Sequence, residues 1–494
     1  MTFNQFFTRC MNESWGRFFQ IGLLVCFAMI GGYCAIGTGI SADEEVELQT
    51  YLINLAAVSG WLNGDERPFQ MLMSYHDRYY GVGFHWLSHG LAGVMSEIFE
   101  PVLRFSSLGS RLIWAHLTNF FAFLVSGVLI RQIILLLTQD RFISSLSMFV
   151  FLLWPYLLGH AFMNVKDIPF MLIWLACTYQ MMRVFQLMLN HHQYPLLGSL
   201  VLGVLTGWLI SIRVSGVLIA IQYFWFYVFL MIEGRLQVSS QLTSKRLFIC
   251  WAMIGFGAGI SLLILFPVLW SSPFELINSI NYMSSHPWQG NTLTAGELIE
   301  PKTRLLRYLL SWFYVKLPLV VILGLLLLPF ALFLGVQKQI IAIQKPMLWT
   351  LTISIISILC VLVIKRVALY NELRQILFIF PLLWIIAITS LYRVSRNWLT
   401  GILFASSIVM VIDNISLYPY QYSYFNEISR FTQAEKKFET DYYGLSIAQT
   451  AHWLNNSKID GTQQCLFVPS PHQWKYYLNR DRFPCLDGFP GDLS

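Results

Sequence analysis

Residues 18–47 read FFQIGLLVCFAMIGGYCAIGTGISADEEVE. The run from 18 to 40 carries no charge and is long enough to cross a lipid bilayer as a helix. Where such a helix would leave the membrane, four carboxylates follow within five positions: Asp43, Glu44, Glu45 and Glu47. We interpret this stretch as a membrane span followed by an acidic loop, and we take the loop as the candidate reaction centre.

The composition of the whole chain supports this interpretation. Of its 494 residues, 56% are hydrophobic and only 12% are charged, whereas soluble domains average about 25% charged residues. Apolar runs of about 17 to 25 residues recur along most of the chain, which predicts an all-α polytopic membrane protein with about eleven spans. The predicted spans cover residues 18–38, 111–130, 142–158, 169–188, 197–212, 214–232, 247–269, 312–334, 347–364, 376–392 and 397–414.

The distribution of basic residues predicts the orientation of these spans. With the N-terminus in the cytoplasm, every inner loop is short and carries Lys or Arg, as the positive-inside rule expects. The long loops 39–110 and 270–311 then lie outside, where we expect short surface helices to cover the bundle. We predict two domains: a transmembrane bundle over 1–414 and a small mixed α/β cap over 415–494. The net charge of +6 shows no basic patch of the nucleic-acid-binding type.

The acidic residues have two interpretations. A carboxylate at the bilayer edge is partly desolvated, which suits a general base. Alternatively, Asp43 and Glu44 are an ordinary N-cap and first turn, since Glu44–Gly60 has the apolar spacing of a surface helix. Asp167 starts another span at the same predicted depth, so it is a second candidate for a functional carboxylate. Alternatively, Asp167 pairs with Lys166 or caps that helix.

Basic residues share the predicted outer boundary with these acids. Arg213 lies between two apolar runs, where an unpaired charge is costly, unless its side chain extends to the interface. Lys365 and Arg366 occupy a short outer loop, against the charge rule, and Arg374 follows them. Guanidinium and ammonium groups at this depth suit a lipid-linked phosphate. We therefore predict that at least one of the four contacts such a phosphate.

Other chemistry has less support in the sequence. His85 and His89 have i, i+4 spacing, but a packing role is favoured over metal binding because no tight ligand set accompanies them. No phosphate-binding loop, dinucleotide-binding motif or nucleophile elbow is present, so nucleotide-driven pumping and soluble-type hydrolase chemistry are unsupported. Cys465 and Cys485 could form a disulfide if the tail lies outside the cytoplasm.

Several motifs resemble the GT-C class of integral membrane glycosyltransferases, and within it the protein O-mannosyltransferase and aminoarabinose-transferase group (glycosyltransferase family 39-like). The acidic pair after the first span matches the loop-one motif of that class, although no single motif is as specific as a metal-site signature. The sequence departs from the family pattern at Val165, where Pro is expected, and at Gln375, where His is common. The matching elements are Asp43-Glu44, Tyr79-Tyr80-Gly81, the run Asn164-Val165-Lys166-Asp167-Ile168-Pro169, His286-Pro287-Trp288-Gln289-Gly290, and Tyr370 with Arg374.

The resemblance implies an inverting transfer of a sugar from a polyprenyl-phosphate donor, at the periplasmic face of a bacterial inner membrane. Asp43 would be the catalytic base, with Glu44 and Asp167 orienting the acceptor or the basic residues. The acceptor, a lipid, glycan or protein, stays open. No metal is expected to be essential, although a divalent cation is left open. The candidate substrate-binding residues are Lys166, Arg213, Lys365, Arg366, Tyr370, Arg374, His286 and Tyr80.

Two other functions remain as alternatives. A transporter or flippase for a lipid-linked sugar would place charges near mid-membrane and show paired discontinuous helices. An assembly subunit would use the tail to bind a protein partner and would not need the loop acids. Retained lipid flux without Asp43 would favour the former, and a tail that captures a protein by itself would favour the latter.

Overall fold

The computed structural model describes residues 14–99, 107–191, 195–232, 241–285, 290–333, 344–457, 465–468, 470–479 and 481–487. Helices dominate these ranges, joined by short 3₁₀ turns and two small sheets. The α-helices are α1 Ser14–Gly37, α2 Glu44–Leu62, α3 Arg67–Ser74, α4 His85–Phe99, α5 Ser107–Thr138, α6 Arg141–Leu152, α7 Pro155–Met163, α8 Asp167–His191, α9 Leu196–Ile212, α10 Ile219–Ile232, α11 Gln241–Leu265, α12 Glu275–Ser284, α13 Leu305–Lys316, α14 Leu319–Leu326, α15 Leu328–Phe333, α16 Gln344–Ile364, α17 Ile379–Val394, α18 Arg396–Leu417, α19 Ser446–Asn456 and α20 Pro471–Trp474.

The predicted polytopic helical fold is confirmed. Over the described ranges, 7 helices are long and apolar enough to cross a membrane, or up to 9 if two bent pairs each count as one span. The bent pairs are α6 with α7, at 61°, and α13 with α14, at 116°. The apolar helices α9 and α17 are shorter, with 17 and 16 residues, or roughly 25 Å at the usual helical rise. Ten of the eleven predicted spans overlap one of these helices or the α6–α7 pair. The span predicted over 312–334 does not correspond to one helix, because it begins inside α13, crosses the 116° bend and continues into α15.

The loop after the first span contains a helix where one was predicted, and its position along the membrane surface stays a prediction. Helix α2, Glu44–Leu62, begins directly after Asp43 and carries three acidic residues in its first turn. Carboxylates at this end are favoured because they face the positive end of the helix dipole.

In the second long loop, residues 270–311, only short helices were predicted, and the structure differs. It contains α12 and also an antiparallel hairpin, β1 Thr292–Thr294 with β2 Glu297–Ile299. The two residues between the strands, Ala295 and Gly296, have φ of 52° and 83°. This is the pattern of a two-residue type I′ turn, which matches the twist of a hairpin.

The C-terminal segment consists of two parts. Residues up to Leu445 pack into the bundle, where Tyr422 and Tyr424 are fully buried. From residue 446 onward, helices α19 and α20 surround a parallel strand pair, β3 Cys465–Phe467 and β4 Cys485–Asp487, and Cys465 and Cys485 are joined by a disulfide. The mixed α/β character predicted for the tail is therefore present. The domain boundary at residue 414 stays a prediction.

Candidate functional site

A cavity of about 250 Å³ lies where the acidic loop meets the ends of several helices. Its lining combines six charged side chains with a set of apolar ones. Such a surface suits a ligand that has both a charged part and a hydrocarbon part. The charged residues are Asp43, Glu47, Asp77, Lys166, Arg213 and Arg374. The apolar residues include Ile212, Val214, Leu218, Met283, Leu362, Val367, Leu369, Ile376 and Phe378.

Asp43 occupies the N-cap position of α2, but its side chain makes no capping hydrogen bond. Its carboxylate instead forms an ion pair with Arg374, and the Asp43 side chain is 46% exposed. The ordinary explanation of this acid as a helix cap therefore does not apply. The carboxylate faces the cavity and is accessible to a second molecule.

Arg374 is held from several sides. It begins a short 3₁₀ turn, is 6% exposed, and its guanidinium lies 5.2 Å from the ring centre of Tyr370 and 5.3 Å from that of Tyr443. Burial alone would lower the pKa of this arginine, but the facing Asp43 carboxylate and nearby groups raise the pKa well above its usual value. The Arg374 guanidinium is thus permanently charged and has a fixed orientation.

Glu47, which the sequence analysis did not select, is the second cavity carboxylate. Lys166 Nζ donates to both of its oxygens at 2.8 Å, and His85 Nε2 lies 2.9 Å from Oε2. Burial would raise the pKa of Glu47, but Lys166 and His85 outweigh it and lower that pKa. Glu47 follows Asp43 by four residues, so the i, i+4 spacing on one helix face was the signal that could have found it.

Lys166 also contacts an aromatic ring of the cavity. Its Nζ lies 4.5 Å from the ring centre of Tyr80, within the range of a cation–π interaction. Burial lowers the pKa of this lysine, an effect that the Glu47 carboxylate opposes. Glu47, Lys166 and Tyr80, which lie on three different chain segments, therefore form one cluster at the cavity wall.

Arg213 and Asp167 form the third ion pair, with Nη2 and Oδ1 2.5 Å apart. Asp167 is 3% exposed and also accepts from Asn164 Nδ2 at 2.9 Å, but it is not among the residues that line the cavity. Arg213 does line it. Asp167 is therefore not paired with Lys166, which binds Glu47, and the start of α8 is capped by Asn164, whose Oδ1 accepts from Asp167 N at 2.9 Å. The Arg213 charge has a buried partner in Asp167.

A glycine brings Tyr80 next to Arg213. The segment that follows Tyr80 packs against the end of α9, and Gly83 N donates to Ser211 O at 3.0 Å. A Cβ on Gly81 would lie 2.1 Å from Ser211 O. Only glycine permits this approach of two backbones, so the position determines how closely the aromatic loop and the Arg213 segment meet.

Four other predicted site residues are not among the described residues that line the cavity. Glu44 is 1% exposed, lies 2.7 Å from His116 Nε2, accepts from Ser41 N at 2.6 Å, and is absent from the cavity lining. Lys365 and Arg366 are exposed at the end of α16 and are also absent from that lining. His286 lies outside the described residues. Functional roles for these four stay predictions.

Side chains of the C-terminal segment contact the acidic loop and the residues just before it. Lys475 Nζ lies 2.5 Å from Glu45 Oε1, and Ile40 N donates to Tyr477 Oη at 2.5 Å. Gln473 Nε2 donates to Ile40 O at 3.0 Å. The loop that carries Asp43 is therefore fixed by the tail as well as by the bundle.

Metal-binding side chains are not grouped in the part of the chain that the structure describes: no set of three or more His, Cys, Asp and Glu there could hold an ion. His85 is bound to Glu47 rather than paired with His89 around a shared centre. Metal independence stays a prediction.

No family model matches this chain, and no curated protein matches it either. Two solved structures are similar to it over most of its length. ArnT from Cupriavidus metallidurans in the apo state is 14% identical, with a TM-score of 0.47, over 93% of this chain and 84% of that one. The same protein bound to undecaprenyl phosphate is 14% identical, with a TM-score of 0.46, over 97% and 87% of the two chains.

Proposed function

We propose that this chain is a membrane glycosyltransferase that moves a sugar from a polyprenyl-phosphate donor to an acceptor hydroxyl with inversion. One observation carries the proposal. A single cavity combines an accessible carboxylate, Asp43, with three cationic side chains and an apolar lining. Part of the motifs that resemble the GT-C class, among them Asp43, Lys166 and Arg374, lines this cavity.

The donor phosphate would bind among Arg374, Arg213 and Lys166. Each of these cations already contacts a carboxylate, but a guanidinium has five N–H donors and can bind a carboxylate and a phosphate together. The hydrocarbon chain of the donor would lie along the apolar lining. The carboxylates Asp43, Glu47 and Asp77 balance the charge of these three cations, which limits the cost of removing the cations from water.

The reaction would be one displacement. The acceptor oxygen attacks the anomeric carbon and forms the new C–O bond, while its proton passes to the Asp43 carboxylate. The bond between the anomeric carbon and the phosphate oxygen breaks, and polyprenyl phosphate leaves with the electron pair. Arg374, Arg213 and Lys166 would stabilise the charge that develops on this leaving group. No covalent sugar–protein intermediate is required.

We place this reaction at the periplasmic face of a bacterial inner membrane, with the N-terminus cytoplasmic. The short basic loops at the opposite ends of the spans support this orientation. The disulfide between Cys465 and Cys485 is also of the kind that persists in an oxidising compartment. Cysteine accessibility to a membrane-impermeant reagent in whole cells tests the placement.

We further propose that no metal ion is essential. The base and the leaving-group contacts can all be supplied by side chains of the cavity. Transfer measured after exhaustive EDTA treatment should equal that of untreated enzyme, and restoration of a lost activity by added Mn²⁺ or Mg²⁺ would contradict the proposal.

The experiment that tests the function compares cells that carry the wild-type protein, Asp43→Asn or Asp65→Asn at matched protein levels. Asp65 is an exposed acid of the same loop, paired with Arg67 and outside the cavity lining, so it is the matched control. The masses of lipid-linked and envelope glycans should show one sugar missing from one product only with Asp43→Asn. Unchanged glycans would contradict transfer, and retained lipid flux in liposomes would then favour a flippase.

A further inference from the structure

A further ion pair lies behind the cavity and takes no part in the mechanism above. Lys316 Nζ is 2.8 Å from Glu372 Oε1, and both side chains are 0% exposed. Neither residue lines the cavity. Two charges fully removed from water are costly to the fold, so a buried pair of this kind is weak evidence for stability as its purpose.

The lysine is fixed by aromatic rings. Lys316 Nζ lies 4.9, 5.4 and 4.6 Å from the ring centres of Tyr156, Trp312 and Phe425. It also donates to Tyr422 O at 3.3 Å. Lys316 is the last residue of α13, where the chain bends by 116° into α14. The position of the Lys316 ammonium group is therefore fixed by its packing in the bundle.

The glutamate belongs to a turn with an unusual backbone. Asn371 and Glu372 have φ of 55° and 63°, in the left-handed region that residues other than glycine rarely adopt. Such conformations persist where surrounding contacts enforce them. Tyr308 Oη donates to Glu372 O at 2.9 Å, so both the backbone and the side chain of Glu372 are held by α13.

This turn connects two residues of the cavity, Tyr370 and Arg374, which line it on either side of the buried glutamate. We propose that the Lys316–Glu372 ion pair is a positioning element that holds residues 370–374 in this turn and so directs Arg374 toward Asp43. Lys316 and Glu372 contact no reactant and are positioning residues. The inference rests on the proposed function, because it assigns support to the arginine of the same site.

The test removes the ion pair and measures Arg374 directly. The variants are Glu372→Gln and the double variant Lys316→Met with Glu372→Gln, which leaves no unpaired buried charge. The control is Arg396→Gln with Asp140→Asn, which removes another interhelix ion pair, 2.6 Å between Nε and Oδ2, outside the cavity lining. Phenylglyoxal modification of the purified full-length proteins is followed by peptide mass spectrometry, with Arg213 as the internal standard.

In the double variant, Arg374 should react at least about tenfold faster relative to Arg213, because modification requires the turn to open. The control should stay within about twofold of wild type, since it leaves that turn untouched. Glu372→Gln, which keeps the shape of the side chain but leaves Lys316 without its carboxylate, should also raise the Arg374 rate and decides the question if the double variant does not fold. An unchanged Arg374 rate in the folded variants would overturn the proposal.

A second readout separates positioning from general weakening of the fold. The kcat of the folded double variant should fall at least about tenfold, with the KM for acceptor little changed, because Arg374 acts on the leaving group. Wild-type kcat in that variant would overturn the proposal. If wild-type protein transfers no sugar, the proposed function fails, while the Arg374 rates still decide whether the pair positions the arginine.

Discussion

Replacing Arg213 by Gln tests whether the cavity cations bind the donor phosphate. In the structure this arginine lines the cavity and also pairs with Asp167 at 2.5 Å. The substitution removes the charge from both interactions. Asp167, at 3% exposure, would retain its hydrogen bond from Asn164 but no described cation in direct contact. The two consequences can be measured separately, since one affects binding and the other affects stability.

The magnitudes follow from the environment of each contact. A hydrogen bond to a charged group contributes roughly 1.5–3 kcal/mol, so losing the phosphate contact should weaken binding about 10- to 150-fold. Removing one partner of a buried ion pair costs about 3–5 kcal/mol of unfolding free energy. The Arg213 side chain is 24% exposed, and water therefore screens part of this interaction. We expect a stability loss at or below about 3 kcal/mol.

The assay measures the Kd of a short-chain polyprenyl monophosphate for four purified proteins: wild type, Arg213→Gln, Asp167→Asn and the double variant. Arg213→Gln and the double variant should bind about 10- to 150-fold more weakly. Asp167→Asn should stay within about threefold of wild type, because the arginine charge remains. Thermal midpoints should be lowest for Arg213→Gln and partly restored in the double variant, which no longer buries an unpaired carboxylate.

A wild-type Kd in the double variant would refute the reasoning, since Arg213 would then serve only to neutralise Asp167. Equal weakening by Asp167→Asn alone would instead make the aspartate the residue that directs the arginine. In the first case the phosphate site would have to be assigned to the remaining cavity cations.

Three further predictions concern residues around the cavity. Replacing both Lys365 and Arg366 by Gln should leave the polyprenyl phosphate Kd within about threefold, because exposed charges contribute roughly 0–1 kcal/mol; tenfold weakening would assign them to the site. Glu44→Gln should lower the thermal midpoint and the folded yield through loss of the buried contact between its carboxylate and His116 Nε2, while kcat per folded molecule stays within about threefold; a large kcat loss in well-folded protein would make Glu44 catalytic. Burial raises the pKa of Glu372 from 4.5 to about 7, so the folded state binds more protons than the unfolded chain between these values, and stability from this group is lost as pH rises through 7. Thermal midpoints of wild type and Glu372→Gln should therefore diverge over this pH window, and parallel curves would contradict the shift.

Much of the fold could be predicted because its causes are local. A run of apolar residues long enough to cross a bilayer is a property of one segment, and ten of the eleven predicted spans overlap a helix or the α6–α7 pair. The exception is the span over 312–334, which the 116° bend between α13 and α14 interrupts. A helix was likewise predicted from local spacing to begin at Glu44, and one does, although its apolar residues are not confined to one face. The hairpin β1–β2 was missed because a three-residue strand carries too little periodicity to be recognised.

The sequence allowed several residues of the candidate site to be predicted, but not which of them contact each other. Several residues selected from charge and motif, among them Asp43, Lys166, Arg213 and Arg374, do line one cavity. Glu47 was overlooked although the i, i+4 spacing from Asp43 was available. Which carboxylate pairs with which cation was not accessible, because each pair joins segments that are distant in the chain.

The sequence by itself determined that this is a polytopic helical membrane protein with acidic and basic residues at the ends of its spans, since hydropathy and charge act on each segment independently. Only the tertiary structure decided that Glu44 is buried against His116, that Asp43 faces Arg374, and that a buried Lys316–Glu372 pair lies behind that arginine. These contacts join residues as far apart as 43 and 374, and their energies depend on the burial that appears only when the helices pack.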